Sequence, residues 1–163
     1  MIVQLRLDER LIRGQITTAW SRYLDVSAIV VVSDHLAEDK LATQVLLMSA
    51  PAGKKVAVKS LANAIKLLSD PSSEKMRILV IVDNPADAVK LREALPIDEV
   101  NVANYVKNKS PDKVQLTRGC NADAEDLGYF KRLVEQGGHV FSQLIPSQQA
   151  VDFAKIIHEM EIK

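Results

Sequence analysis

The chain has 163 residues, of which 47% are hydrophobic and 26% are charged, and its 21 Lys and Arg residues balance its 21 Asp and Glu residues. This size and composition predict a single domain over residues 1–163 with one core. The zero net charge argues against a protein that binds nucleic acid or anionic lipid through a general surplus of positive charge, but it leaves room for a local anion site.

The single cysteine, Cys120, rules out an internal disulfide and fits a reducing compartment. Arg118 lies close enough in sequence to lower the pKa of that thiol. We nevertheless expect a small, partly buried residue, because no nucleophile motif surrounds it. No apolar run approaches the roughly 18 residues that a membrane helix needs, and the N-terminus is charged too early for a secretory signal. The sequence therefore predicts a soluble cytoplasmic protein.

Short β-branched runs alternate with longer segments of helical period. The predicted strands are residues 2–6, 27–33, 55–59, 77–83, 99–103, 113–117 and 139–144. The predicted helices are residues 14–23 and 36–49, and segments that begin at Ser60, Pro85, Asp123 and Ser147. In the second helix, Leu41, Val45 and Met48 form a stripe that we expect to face the core. The alternation predicts a three-layer α/β/α fold with a mostly parallel, open, doubly wound sheet of six or seven strands.

Ligands of such sheets bind beyond the carboxyl ends of the strands. The segments to inspect are residues 7–13, 33–36, 83–85 and 103–109. The first of them is the richest, because Arg6, Arg10 and Arg13 all lie just before a predicted helix. Unpaired amides and the helix dipole favour a negative ligand there, and arginine binds phosphate oxygens through several donors. Charge spacing alone leaves two interpretations equal: a phosphoryl-binding site, or arginines paired with Asp8 and Glu9 on a solvated surface.

Residues 6–16, R-L-D-E-R-L-I-R-G-Q-I, resemble a segment close to R-I-D-D-R-L-I-H-G-Q-V in the IIB components of the mannose/fructose/sorbose family of the sugar phosphotransferase system. Further similarities follow in order. They are V-V-V-S-D at 30–34, A-P-A-G at 50–53, D-N-P at 83–85, V-N-V-A-N at 100–104 and the helix over 124–137. The resemblance covers nearly the whole chain and favours the phosphoryl site over the solvated surface.

The resemblance implies a cytoplasmic protein that receives a phosphoryl group from a IIA component and passes it to a sugar delivered by membrane IIC and IID components. It implies association with the inner face of the membrane through IIC/IID, no cofactor and no metal. Arg6, Arg10, Gly14 and Gln15 would bind the phosphoryl group, and Asp8 would orient the loop. Self-association into a homo-oligomer is compatible with the resemblance, but the oligomeric state and the identity of the sugar are left open.

This chain departs from the family at the residue that accepts the phosphoryl group. Family members use a histidine, whereas the corresponding residue here is Arg13, whose protonated guanidinium has no lone pair to offer. His35 follows the second strand at the same sheet edge and is the one substitute that the topology allows, although a solvated role is favoured for it. We expect His139 at the opposite end of the strands and His158 on the last helix, and the histidine spacing matches no metal site.

Three hypotheses remain at this point. The first is a phosphocarrier of the family type, in which either His35 has become the acceptor or Arg13 is an engineered replacement of a natural histidine. The second is a regulatory homologue that binds phosphorylated IIA through Arg13 without transferring the group. The third is an unrelated doubly wound module that binds a small phosphorylated metabolite.

Overall fold

The computed structural model describes residues 1–106 and 110–162. The strands are β1 (Ile2–Asp8), β2 (Ala28–Val32), β3 (Lys55–Lys59), β4 (Ile78–Val82), β5 (Glu99–Asn104), β6 (Val114–Thr117), β7 (Cys120–Ala122), β8 (His139–Ser142) and β9 (Val151–Asp152). The helices are α1 (Gln15–Tyr23), α2 (Asp34–Glu38), α3 (Lys40–Met48), α4 (Leu61–Ser69), α5 (Pro85–Ala94), α6 (Ala124–Glu135) and α7 (Phe153–Ile162). A short 3₁₀ helix, Pro71–Lys75, follows α4.

The central sheet has the strand order β3-β2-β4-β1-β5-β8-β9. Its first six strands pair in parallel, and β9 pairs with β8 in the antiparallel sense. Every residue of β2 and β4 is buried, as expected for strands covered on both faces. The strand β1 lies between β4 and β5, so the loop that follows it emerges in the middle of the carboxyl edge.

Helices cover both faces of the sheet. On one face, Trp20 of α1 and the partly buried Leu36 and Leu46 pack against the β2 and β4 side chains that point to that side. On the other face, Phe130 of α6 and Phe153 of α7 belong to the larger cluster, which also includes side chains of α4 and α5. The predicted three-layer α/β/α fold is therefore confirmed. None of the described helices is long and apolar enough to cross a membrane.

Two helices, α5 and α6, begin at the residues that their capping sequences predict. Asn84 accepts a hydrogen bond from the amide of Asp87 at 2.8 Å, and Pro85 occupies the first helical position of α5. Asp123 and Asp126 form a reciprocal capping box at the start of α6.

The predicted strand at 113–117 does not join the main sheet. The strand β6 instead pairs with β7 as a separate antiparallel hairpin. The turn at Arg118 and Gly119 reverses the chain at once, which leaves no crossover for a parallel pairing. A bridge between Tyr105 and Cys120 attaches the hairpin to the end of β5. The predicted segment 103–109 falls partly outside the described residues.

The predicted helix at 36–49 is two helices, and its stripe faces outward. The backbone leaves the helical region at Asp39, where φ is −103° and ψ is 98°, and the Asp39 side chain caps α3. Leu41, Val45 and Met48 are 73%, 58% and 85% exposed, so the expectation that they face the core was wrong. Leu46 packs inward instead.

The last helix begins later than predicted. It starts at Phe153 rather than at Ser147, because the intervening chain is held in other hydrogen bonds. The Nε2 atom of Gln143 donates to the carbonyl oxygens of Pro146, at 3.3 Å, and Gln148, at 2.7 Å. Asp152 accepts a hydrogen bond from the amide of Lys155 at 3.1 Å, a capping contact at the start of α7.

Candidate functional site

The loop between β1 and α1 is shaped by its own apolar residues. Leu11 and Ile12 are buried in the cluster beneath α1, so the loop packs against the sheet at these two residues. The turn requires a positive φ at Leu11 (60°) and at Gly14 (55°). A residue with a side chain would be strained in the backbone conformation of Gly14. The backbone geometry therefore explains why a glycine occupies this position.

A buried ion pair lies under this loop. The Nη2 atom of Arg6 is 3.2 Å from Oδ2 of Asp8. The same guanidinium donates to the carbonyl oxygen of Leu144 at 3.1 Å, and its central carbon lies 5.5 Å from the Trp20 ring centroid. Burial lowers the pKa of Arg6; Asp8 opposes that effect and the nearby positive charge of Arg13 adds to it. Arg6 is thus placed beneath the loop, close to Arg13, rather than on its surface.

Asp8 holds the loop from below. Its Oδ1 accepts the amide of Arg10 at 3.0 Å, and its backbone oxygen accepts the amide of Leu11 at 2.9 Å. The side-chain amide of Asn104, at the end of β5, lies 3.5 Å from Oδ1. The contacts are those of a carboxylate that orients the loop, the role predicted for Asp8.

The upper surface of the loop offers positive charge and open amides. In the part of the chain that the structure describes, the guanidinium groups of Arg10 and Arg13 make no hydrogen bond or ion pair, so they are not paired with Asp8 or Glu9 there. The amides of Gly14 and Gln15 have no protein acceptor within 1–106 and 110–162. The amide of Arg13 is occupied, because it donates to Thr17 Oγ1 at 2.8 Å.

The loop after β8 forms the second wall of the site. Trp20 Nε1 donates a hydrogen bond to the Leu144 carbonyl oxygen at 2.7 Å. The same oxygen also accepts the hydrogen bond from Arg6. Asn101 and Gln143 exchange two hydrogen bonds of 2.9 Å, from the Asn101 side chain to the Gln143 backbone and back. Sequence reasoning missed these contacts, since an Asn in a strand and a Trp in a helix carry no signal of a partner distant in sequence.

The histidines lie apart from the loop. His35 is exposed in α2, after a strand that β4 separates from β1. His139 begins β8 at the amino end of the strands and contacts Glu99 at 2.9 Å, and His158 is exposed on α7. Within the described ranges no group of three or more His, Cys, Asp or Glu side chains is arranged to hold a metal ion.

Cys120 is fully buried at the start of β7. Burial, with smaller contributions from the charges of Asp126 and Glu9, raises the pKa of its thiol to about 12. A raised pKa is the opposite of activation by Arg118. The predicted structural role is retained, but Cys120 is fully buried rather than partly buried as expected.

The comparisons with known proteins agree with this geometry. The family described as "PTS system sorbose subfamily IIB component" matches residues 2–163. The chain belongs to this sorbose-type IIB family. The match excludes the hypothesis of an unrelated doubly wound module.

Other IIB proteins are similar over comparable lengths. The fructose-specific EIIB component of Bacillus subtilis (strain 168) is 31% identical over 160 residues, which cover 98% of this chain and 97% of that protein. The mannose-specific EIIAB component of Escherichia coli (strain K12) is 33% identical over 139 residues, 84% of this chain and 42% of that longer protein. The IIBSor domain of the sorbose permease from Klebsiella pneumoniae superposes with a TM-score of 0.88 at 29% identity, covering 98% and 97% of the two chains.

Proposed function

We propose that this IIB family member, as a single domain over residues 1–163, serves the phosphoryl relay of a sugar phosphotransferase system. It would take the phosphoryl group from phosphorylated IIA and act with membrane IIC and IID components at the cytoplasmic face during sugar uptake. The family match over residues 2–163 supports this role. The loop between β1 and α1 supplies the matching chemistry, since it offers cationic side chains and open amides at the carboxyl edge.

The observation that carries the proposal is the layered arrangement of this loop. Arg6 and Asp8 lie buried below, and the guanidinium groups of Arg10 and Arg13 above them have no hydrogen bond or ion pair to any residue that the structure describes. The open amides of Gly14 and Gln15 belong to the backbone of the loop. Backbone donors of this kind stabilise the charge on a phosphoryl group in transit, because they need no rearrangement when the group arrives.

Transfer through this chain requires an acceptor other than Arg13. A protonated guanidinium is a donor only, whereas a neutral imidazole nitrogen has the lone pair that attacks phosphorus. His35 is the histidine at the carboxyl edge, and its exposure leaves it accessible to a partner. In the relay, His35 would form the new N–P bond as the IIA histidine releases the phosphoryl group.

The test is incubation with phosphorylated IIA followed by mapping of the label. The relay predicts an acid-labile phosphoryl group on His35 that is absent from His35→Gln. We expect Arg13→His to gain label at residue 13, because the rest of the loop is in place. An unlabelled wild-type chain beside a labelled Arg13→His variant would contradict transfer by the natural chain while supporting the loop as the phosphoryl site.

A second candidate function is favoured by Arg13 itself. Its guanidinium, near Arg6 and free of protein partners among the described residues, suits a group that grips the phosphoryl group of a docked partner without accepting it. In this case phosphorylated IIA binds at least about tenfold more tightly than unphosphorylated IIA. Arg13→Gln removes the difference, whereas Arg22→Gln, an exposed arginine at the far end of α1, keeps it. Equal affinity for the two forms of IIA would refute this function.

A further inference from the structure

A second recess opens at the carboxyl edge, on the side of β5 and β8. Its volume is about 450 Å³, and its polar lining comes from Asn104, Thr117, Arg118, Ser142, Gln143, Gln148 and Gln149. Residues 9–15 of the β1–α1 loop contribute nothing to its walls. The recess is therefore distinct from the β1–α1 loop, although it shares Gln143 and Leu144 with the wall that faces this loop. Its size suits a small molecule.

The hairpin of β6 and β7 makes one wall of this recess, and its position is fixed. The amide of Tyr105 donates to the Gly119 carbonyl oxygen at 2.6 Å, and the amide of Asn121 donates to the Tyr105 carbonyl oxygen at 2.8 Å. A Cβ atom at Gly119 would collide with the carbonyl oxygen of Ala103, so only glycine lets the hairpin approach so closely. The wall is thus set before any ligand arrives.

A polar contact joins the hairpin to the opposite wall. Thr117 Oγ1 lies 3.4 Å from Ser142 Oγ, which ties β6 to the end of β8. Each hydroxyl can donate and accept, and the side-chain amides of Gln148 and Gln149 offer both kinds of group as well. The exposed Val151 and the half-buried Leu144 add apolar surface beside them. Such a mixture complements a sugar, whose ring presents hydroxyl groups at its edge and C–H groups on its face.

Arg118 adds a positive charge at the rim. Its side chain is exposed, and within the described residues it has no hydrogen bond and no ion pair. A guanidinium with its donors uncommitted at the mouth of a polar recess favours an anionic group, and phosphate matches its geometry with paired hydrogen bonds.

The neighbouring recess at the same edge has the opposite charge. It is lined by Glu9, Asp123, Glu125 and Asp126 beside Tyr105 and Tyr129. Carboxylates repel a phosphorylated ligand, so the charges select the Arg118 side of the edge for such a molecule.

We propose that the recess between the β6–β7 hairpin and the end of β8 binds a phosphorylated sugar, with Arg118 on the phosphate and the hydroxyl and amide side chains on the sugar ring. This site goes beyond the proposed relay and does not depend on it, because binding at the recess involves no phosphoryl transfer. The two proposals can fail separately, because the relay is tested by covalent labelling of the chain and the recess is tested by reversible binding of a ligand.

The test is a titration of the full-length, ¹⁵N-labelled chain with hexose 6-phosphate, the parent hexose and inorganic phosphate. We expect hexose 6-phosphate to bind at least about tenfold more tightly than either fragment, since it engages both halves of the recess. The amide signals of Gly119 and Ser142 should move, while those of Gly14 and Gln15 should not. Arg118→Gln should weaken the binding about tenfold or more, and the matched Arg22→Gln should not change it.

Two outcomes would overturn the site. Equal affinity for hexose 6-phosphate and inorganic phosphate would show an anion contact without sugar recognition. Shifts confined to Gly14 and Gln15 would place the ligand on the β1–α1 loop instead. Because Arg118 is exposed, its replacement is expected to leave folding intact, and unchanged dispersion of the amide spectrum checks this.

Discussion

Arg6 and Asp8 form an ion pair that is almost entirely shielded from water: their side chains are 1% and 0% exposed, and Nη2 lies 3.2 Å from Oδ2. The two residues lie on the same face of β1, directly below the loop that carries Arg10 and Arg13. The pair thus anchors the loop. Removing one member of a buried pair leaves the other charge without compensation, which is more costly than the net value of the pair.

We therefore expect Arg6→Met to lower the free energy of unfolding by about 3–5 kcal/mol, because Asp8 keeps its charge and loses its partner. Urea denaturation measures the change. Asp8→Asn should be destabilising for the converse reason. The double variant should lose clearly less than the sum of the two single losses, and additive losses would show that the pair is not coupled.

A second prediction concerns the hydrogen bond from the Arg13 amide to Thr17. Thr17→Val keeps the side-chain shape but removes the acceptor, so the free energy of unfolding should fall by about 1–3 kcal/mol and the Arg13 amide should exchange faster with solvent. Hydrogen exchange followed by NMR checks both. Thr18→Val is the matched control: the Gly14 carbonyl oxygen loses a side-chain donor at 3.1 Å but keeps the Thr18 amide at 3.0 Å. A larger effect from Thr18→Val would contradict this assignment.

The buried thiol is expected to lower the free energy of unfolding at alkaline pH. Cys120 has a pKa of about 12 in the folded chain, whereas a thiol in the unfolded chain titrates near about 8.5. Above that lower value the unfolded state releases a proton that the folded state retains, so the free energy of unfolding falls as pH rises, by about 1.4 kcal/mol per pH unit for one group. Below about pH 8 the thiol has no such effect.

Denaturation between pH 8 and pH 10 measures this slope, and Cys120→Ala provides the control because alanine has no proton to lose. The wild-type chain should show the steeper decline. Identical slopes for the two proteins would contradict a raised thiol pKa. Tyr105, whose pKa is raised by burial and by its hydrogen bond to Asp126, adds to the decline only above about pH 10.

The exposed stripe on α3 predicts that a substitution there changes stability far less than a substitution in the core. Leu41→Gln should change the free energy of unfolding by no more than about 0.5 kcal/mol, since the side chain is already in water and glutamine is a good helix former. Leu91→Ala, at a fully buried position of α5, should cost about 2–5 kcal/mol. Thermal or urea denaturation compares them. A loss at Leu41 as large as that at Leu91 would place the stripe inside the core after all.

The sequence was sufficient for the six parallel strands of the sheet because their signals were local. Consecutive β-branched residues in β2 and β4 predicted strands covered on both faces, and the Asn84-Pro85 pair predicted the start of α5 at the correct residue. The alternation of strands with helices predicted a mostly parallel sheet, but the order of its strands was not predicted. These signals depend on neighbours in the chain, which a sequence displays directly.

The misassigned elements depended on distant contacts. Periodicity alone could not tell which face of α3 was covered, because the covering residues are distant in sequence and Leu46 rather than Leu41 packs against them. Nor could β-propensity show that β6 pairs with β7, since pairing is decided by where the chain turns at Gly119. At the candidate site, the sequence predicted Arg6, Arg10 and Arg13 together. It did not predict that Arg6 lies below the other two, because that follows from its bonds to the loop after β8.

The single tryptophan of the chain makes the state of the loop visible without any label. Trp20 lies against the Arg6 guanidinium and donates its indole proton to the carbonyl oxygen of Leu144. Anything that loosens the Arg6 contacts or lifts the segment after β8 would let water reach this fluorophore, and its emission would move to longer wavelength. The chain thus contains an optical sensor positioned between the β1–α1 loop and the wall that faces it.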